Sequence, residues 1–475
     1  MQKILKDYQI IGTQWIYDLY RLHLGGILAD DMGLGKTLQV LTFLNQHKAE
    51  GHKTWSLVVV PTSLCFNWEN EAKKFTPDLE VEVFSAAKKK HFVEAPQENH
   101  KIIIVTYGLL IEHEDFFAEH LWDIVIFDEA QNLKNLSSRR TSSARSLKAK
   151  FKLALSGTPL ENNYLDFFSL ADLVLPGSLG SYKSFNEVFG IGKSIESEDL
   201  VHLRQKMKPI VLRRTKSSVN LNLPTKTEES YHLDFTEEQI ELYRKLALTH
   251  NEQVTQLIKD NGAAGSQIAM LTALLRLRQV CSDPNGIPNV KFNDVPPKLG
   301  YITDCVTEHL ENGRSVLVFT QFLATLDNLS KMFVKNNIPF FTIHGAVSSK
   351  NRAVVLDQFQ NSDTPQVLLM TLKTGGVGLN LTKASVVYHI EPWWNPAVEN
   401  QATDRVHRLG QQNDIQVYRL IMKDSVEEKI ELLKLRKKAY FDSLFSTEES
   451  TSASADSNGN STNYLSAEDF KFLLS

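Results

Sequence analysis

Cysteine is scarce: three residues in 475, Cys65, Cys281 and Cys305, lie far apart and form no C-x-x-C pair. That spacing excludes a zinc ribbon built on cysteines alone and argues against a disulfide framework, so the chain reads as intracellular and cytoplasmic. No apolar run reaches the ~18–20 residues that a membrane-spanning helix needs. The opening Met1-Gln2-Lys3-Ile4-Leu5-Lys6 has no apolar signal region, and no membrane partner is expected. An excess of one charge sign is also missing, with 52 basic against 56 acidic residues and a net charge of −4. Ser446–Ser475 holds five acids and one base, so the remainder is neutral overall. A neutral body does not announce nucleic-acid binding, and any such site must be a local groove rather than a global field. No internal repeat of fixed short period is present.

What is there is ordinary globular composition, 42% hydrophobic and 23% charged, in a chain too long for one core. Short Val- and Ile-rich runs alternate with helical stretches. In the N-terminal half they are Gly26–Ala29, Leu57–Val60, Ile102–Val105, Ile124–Phe127 and Leu153–Leu155; in the C-terminal half, Val316–Phe319, Phe340–Ile343, Val367–Met370, Val386–Ile390 and Val417–Ile421. Buried parallel strands read this way, and the intervening lengths suit crossover helices. The spacing predicts an α/β fold with two doubly wound parallel-sheet lobes, residues 1–162 and 298–445, separated by a helical insertion over 163–297. Within the insertion, Thr236-Glu237-Glu238-Gln239 fits a capping box opening a helix through Lys259. Ser266–Cys281 is a second helix with Ile268, Leu271, Leu274, Leu275 and Leu277 apolar. Residues 446–463 read as a flexible, acidic Ser/Thr-rich linker. Residues 464–475 read as a short helix capped by Ser466, carrying Phe470, Leu473 and Leu474.

The strongest chemical signal is Asp30-Asp31-Met32-Gly33-Leu34-Gly35-Lys36-Thr37, placed between the strand Gly26–Ala29 and the helix Leu38–Gln46. Strand, glycine-rich loop and helix in that order make a phosphate cradle. Backbone N–H groups of Met32, Gly33, Leu34 and Gly35 face phosphate oxygens at the positive end of the helix. Lys36 then reaches the β- and γ-phosphates, and Thr37 offers its hydroxyl to magnesium. The general pattern wants glycine where Asp30 stands. Asp128 and Glu129 follow the strand Ile124–Phe127; one carboxylate at a strand end holds the metal and its neighbour orients the attacking water. Leu155-Ser156-Gly157-Thr158-Pro159 leaves the next strand, a position that a plain strand-exit turn would also fill.

Together these residues resemble the first motor lobe of superfamily-two helicase-like ATPases, and further segments narrow the resemblance to the Swi/Snf family of double-stranded DNA translocases. Leu5–Gly12 is similar to that family's opening, in which the glutamine, here Gln9, reads adenine. Asp128–Gln131 continues into Asn132–Asn135 as the family does, with Gln131 where His is frequent. Leu212-Arg213-Arg214-Thr215-Lys216 is similar to the segment entering the family's helical insertion. Thr371–Leu381, with Lys373 where Arg is common, Trp393-Trp394-Asn395-Pro396 and Gln401–Gln411 complete the pattern, which covers roughly residues 4–440. The chain resembles a bare, bacterial-type motor core without a chromatin-reading module.

The resemblance implies two RecA-like lobes with ATP and Mg2+ between them, and a monomeric motor. Lys36, Asp128 and Glu129 come from one lobe and the arginine fingers Arg405 and Arg408 from the other. It implies coupling through Gln131, Ser156, Thr158 and Gly376. It implies sequence-independent contact with double-stranded DNA through Thr62, Ser63, Thr106, Tyr107, Gln321, Lys373, Thr374 and Trp394. Trp393 and Trp394 fit core or interface packing equally well. Lys88–His91 and Lys434–Lys438 read as solvated basic runs. The expected activity is an ATP-dependent motor that tracks along duplex DNA and remodels or displaces bound protein, RNA polymerase being one such cargo, without separating strands. A strand-separating helicase, an RNA-directed ATPase and an inactive nucleic-acid or polymerase-binding scaffold are the alternatives.

Overall fold

The computed structural model describes residues 5–89, 100–157, 164–190, 193, 195–219, 223–375, 381–393, 395–408, 410–445 and 472–473. The chain divides into two compact units, the first formed mainly by Met1–Asn222 and the second by Leu223–Tyr440. Among the described residues, unit one holds a seven-stranded sheet in the order β3-β4-β2-β5-β6-β1-β7. Its strands are β1 (Gly26–Leu28), β2 (Trp55–Val60), β3 (Glu80–Val83), β4 (Lys101–Thr106), β5 (Leu121–Asp128), β6 (Lys148–Leu155) and β7 (Val211–Leu212). Unit two holds a six-stranded sheet in the order β10-β11-β9-β12-β13-β8. These strands are β8 (Lys226–Leu233), β9 (Ser315–Thr320), β10 (Phe340–Ile343), β11 (Val367–Thr371), β12 (Ala384–His389) and β13 (Ile415–Met422). Every pairing in both sheets is parallel.

All ten apolar runs are strands, because helices cover both faces of each sheet. In β9, Val316 and Val318 enter one core cluster while Leu317 and Phe319 enter the other. A strand buried on both sides needs apolar residues at successive positions, which is why these segments lack the alternation of a half-exposed strand. Three strands have no such run. β3 is Glu-Val-Glu-Val, β7 has two residues, and β8 is Lys-Thr-Glu-Glu-Ser-Tyr-His-Leu, largely exposed. All three lie at sheet edges, where charged residues are tolerated and discourage pairing with other chains. Since β7 and β8 both fall within residues 163–297, the region read as a helical insertion also supplies one edge strand to each sheet.

The expected helices of that region are α5 (Glu237–Gly265) and α6 (Gln267–Ser282). Thr236 caps α5 through its hydroxyl, 3.3 Å from the Gln239 amide. The reciprocal half of the box is not made: the Gln239 side chain donates instead to the Val280 carbonyl of α6 at 2.6 Å. Leu274 and Leu277 pack with Met422 and with Val426, Ile430 and Leu433 of α7 (Val426–Phe445). Ile268, Leu271 and Leu275 are exposed.

Lys434 corrects the reading of a solvated basic run. It is buried, and its ammonium meets both oxygens of buried Glu399 at 2.7 and 2.9 Å. A lysine chain is long enough to bring its charge to a buried acid, and composition does not reveal that pairing. Lys298 and Glu427 form a second pair with both side chains fully buried, at 2.7 Å. Leu473 is buried against the α5–α6–α7 cluster; Ser466, Phe470 and Leu474 lie outside the described residues. Among the described residues no helix is long and apolar enough to cross a membrane.

Candidate functional site

In unit one the C-terminal ends of the parallel strands converge on the loop after β1, the position at which open α/β sheets bind ligands. Helix α1 (Asp7–Arg21) precedes β1, and α2 (Lys36–Ala49) leaves the loop. Gly33 and Gly35 have φ of 89° and 78°, the left-handed region that glycine enters freely. A Cβ on Gly35 would lie 2.5 Å from Gln9 Nε2, so a side chain there would have to displace the Gln9 carboxamide as well as adopt the left-handed φ. Gln9 donates to the Leu34 carbonyl at 3.1 Å, Tyr8 donates to the same oxygen at 3.1 Å, and the Gln9 oxygen accepts from the Lys6 amide. Lys36 donates to the Asp30 carbonyl at 2.6 Å, inside the loop that a polyphosphate would occupy.

Asp30, the departure from the usual glycine, has a partner. Its carboxylate is fully buried and receives two bonds from the Arg214 guanidinium, one of them at 2.8 Å, and a third from Gln39 at 3.1 Å. Arg214 also donates to Gln39 at 2.7 Å and to the Tyr8 carbonyl. Lys216 N donates to the Asp31 carboxylate at 3.0 Å. The segment after β7 therefore holds the front of the loop and the start of α1 together.

Asp128 ends β5 and Glu129 follows it. Desolvation first, and the charge of Glu129 second, push the Asp128 carboxyl up to about 7. Adjacent carboxylates with this repulsion suit a cation set before them. Their carboxylates and the Thr37 hydroxyl are oxygen donors of the hard kind that magnesium takes, so the residue types expected to hold it, Thr37 and Asp128, fit that ion. Glu129 has φ of 48°, uncommon for a residue with a side chain, and such strain clusters at functional sites. Its carboxylate accepts from the Gln131 amide at 2.7 Å, and the Gln131 oxygen accepts from the Ser156 hydroxyl at 2.9 Å. Ser156, Gln131 and Glu129 thus form a relay from the end of β6 to the end of β5. Removing the hydroxyl in Ser156→Ala deletes one hydrogen bond of about 0.5–1.5 kcal/mol. We expect kcat to fall roughly two- to tenfold with nucleotide affinity unchanged; steady-state turnover alongside fluorescent-ADP titration checks this, and an unaltered kcat would remove the relay's role.

The other expected residues are placed less uniformly. Tyr107 is corrected: it is 4% exposed and its hydroxyl donates to the Asp128 carbonyl at 2.8 Å, so it faces the ATP side and not a surface groove. The Thr106 hydroxyl accepts from Leu109 N as a helix cap, and Thr62 is exposed in a turn after β2. In unit two Thr374 is 7% exposed with its hydroxyl bonded to Thr371. The Gln321 oxygen accepts from Arg278 at 2.6 Å. Trp393 lies under the Arg278 guanidinium, 5.0 Å away, as a packing aromatic. Arg405 is buried and Arg408 half-buried. Thr158, Gly376 and Trp394 lie outside the described residues, as do the side chains of Ser63 and Lys373. Sequence reasoning missed Trp68, whose indole donates to the Asp128 carboxylate at 2.7 Å, and Gln39. Asp30 itself was the available signal for Arg214, because a buried acid in a phosphate loop demands a cation.

Comparison with known proteins adds the lineage. Residues 8–286 match the SNF2-related domain and residues 297–410 the helicase conserved C-terminal domain. An uncharacterized ATP-dependent helicase of Mycoplasma pneumoniae is 39% identical over 427 residues, 90% of this chain and 41% of its own length. The putative ATP-dependent helicase/translocase YwqA of Bacillus subtilis is 34% identical, covering 94% of this chain and 49% of its own. The ISWI chromatin-remodeling complex ATPase ISW1 of Saccharomyces cerevisiae is 31% identical over 90% of this chain and 39% of its own. The chain thus spans less than half the length of these relatives. A solved Sulfolobus solfataricus SWI2/SNF2 ATPase core in complex with dsDNA is 33% identical, covering 93% of this chain and 92% of its own, with a TM-score of 0.46.

Proposed function

Because the chain belongs to the SNF2-related helicase family, we propose that it hydrolyses ATP to move along double-stranded DNA and remodel or displace DNA-bound protein without separating the strands. The observation that carries the hydrolytic part is the Glu129–Gln131–Ser156 relay beside the phosphate loop. In this reading Lys36 and the amides of residues 32–37 bind the phosphates, Gln9 reads the adenine, and Glu129 orients the attacking water. Magnesium, held by Thr37 and Asp128, supplies charge compensation on the phosphates. Arg405 and Arg408 serve as the arginine fingers, a role worth about 10³–10⁵ in rate. Thr62, Ser63, Thr106 and Lys373 contact the DNA backbone without reading bases. The motor works as a monomer in the cytoplasm, and its cargo is a DNA-bound protein such as RNA polymerase.

The deciding experiment measures ATP turnover with duplex DNA, single-stranded DNA, RNA or no nucleic acid, across a salt series. Duplex DNA is expected to stimulate most, with no strand displacement, and its affinity to fall as a power of salt concentration because bound phosphates release counterions. Preference for single strands or RNA, or displaced strands, would reject the duplex-translocase reading. No turnover in any condition would favour a scaffold.

A further inference from the structure

Strands β4, β2 and β5 are neighbours in the first sheet, and their C-terminal ends lie level. Val60 is paired with Thr106, and Val59 with Phe127, the residue before Asp128. The loops leaving β2 and β4 are the two in unit one assigned above to DNA. Each runs at once into a helix: α3 (Cys65–Phe75) after the turn Thr62–Leu64, and α4 (Tyr107–Glu112) directly after Thr106. The first turn of each helix sends one aromatic donor inward to the same residue. Trp68, 1% exposed, donates its indole N–H to Asp128 Oδ2 at 2.7 Å. Tyr107, 4% exposed, donates its hydroxyl to the Asp128 main-chain oxygen at 2.8 Å. The second carboxylate oxygen of Asp128 accepts from Glu129 N at 2.8 Å.

Core packing alone would be satisfied by phenylalanine at position 107, and the Trp68 indole makes a polar bond besides filling its space. Two independent donors, from two different loops, converging on the carboxylate and carbonyl of one strand-end residue do more than fill space. The bond from the Trp68 indole, at 2.7 Å, is short and well inside the buried core, so it is sensitive to small shifts of its donor. We propose that Trp68 and Tyr107 are positioning residues that transmit backbone binding at the loops after β2 and β4 to Asp128. Unit one would then report DNA occupancy to the ATP site through its own core. The inference rests on the duplex-stimulated ATPase reading and names how that stimulation reaches the nucleotide. A rigid α3 makes a strand-end loop and Trp68 move together, so a backbone seated on Thr62 and Ser63 resets the indole against Asp128.

The test uses the full chain with Tyr107→Phe, which keeps the ring and deletes only the hydroxyl, and Trp68→Phe, which deletes the indole donor together with part of the ring system. Duplex affinity, read by anisotropy, is expected to stay within about twofold, while the fold stimulation of kcat by duplex drops up to about tenfold, the upper range for loss of one hydrogen bond. A second readout needs neither nucleotide nor metal. The protein has six tryptophans; with 5-fluorotryptophan incorporated, the 19F resonance lost in Trp68→Phe is that of Trp68. Saturating duplex is expected to shift it while leaving Trp122, also buried in unit one, in place. In Tyr107→Phe, which keeps the probe should Trp68→Phe fold poorly, the resonance still shifts but stimulation is reduced. If wild type is stimulated and both variants are stimulated equally, or if the Trp68 resonance stays still under bound duplex, the coupling is overturned while the functional reading stands. A wild type that no duplex stimulates overturns both.

Discussion

Glu129→Gln is expected to lower kcat by about 10²–10⁴ while leaving nucleotide binding and folding close to wild type. Glutamine is nearly isosteric, and its carboxamide oxygen still accepts from the Gln131 amide that meets Glu129 at 2.7 Å. What it loses is the negative charge that orients and polarises the attacking water. The backbone at φ 48° accords with this assignment, since uncommon conformations cluster at functional sites. Asp128→Asn separates the two carboxylates. It is expected to raise the magnesium concentration needed for tight ADP binding, whereas Glu129→Gln leaves that requirement unchanged. Turnover with and without duplex, and ADP titrations across a magnesium series, read both effects. A Glu129→Gln protein retaining more than about a tenth of wild-type turnover would remove Glu129 from the role of base.

Arg214→Met is expected to destabilise unit one by about 3–5 kcal/mol, the usual consequence of stripping the partner from a buried charge. Asp30 is fully buried, and Gln39 would be its remaining side-chain donor, at 3.1 Å. For a unit of this size the shift in Tm is roughly 10 °C. Asp30→Asn combined with Arg214→Met removes the stranded charge, so the double variant is expected to be more stable than Arg214→Met alone, a coupling that a double-mutant cycle measures. Because the Asp30 carbonyl also receives Lys36 at 2.6 Å, ATP affinity should weaken in parallel with stability in Arg214→Met and recover in the double variant. A change below about 1 kcal/mol would show that the pair fills space without holding the loop.

Much of the molecule was legible because its periodic signals are local. Ten strands announced themselves as mostly apolar runs, since burial on both faces of a sheet favours apolar residues at successive positions. The phosphate loop was legible because glycines at φ 89° and 78° are needed within a few residues of a lysine. The edge strands β3, β7 and β8 were not, because an edge strand need not be apolar; the fourth edge strand, β10, is apolar and was legible. Lys434 looked solvated because a charge carries no mark of the acid it will meet in space. Tyr107 looked like a surface contact because a residue at a strand end can turn either way, and here its hydroxyl reaches past β2 to the end of β5.

The sequence by itself determined the two parallel sheets, the order phosphate loop, carboxylate pair and serine turn, and the family to which the chain belongs. These follow from short-range pattern, where one residue's neighbours are the next few in the chain. The tertiary structure alone decided that Arg214 answers Asp30 and that Ser156 reaches Glu129 through Gln131. It also decided that two aromatics from separate loops close on Asp128. Apart from the local bond between Gln131 and Glu129, each of these is a polar contact between residues far apart in sequence. A buried charge or donor dictates that it must have a partner, but the fold chooses which residue that partner is.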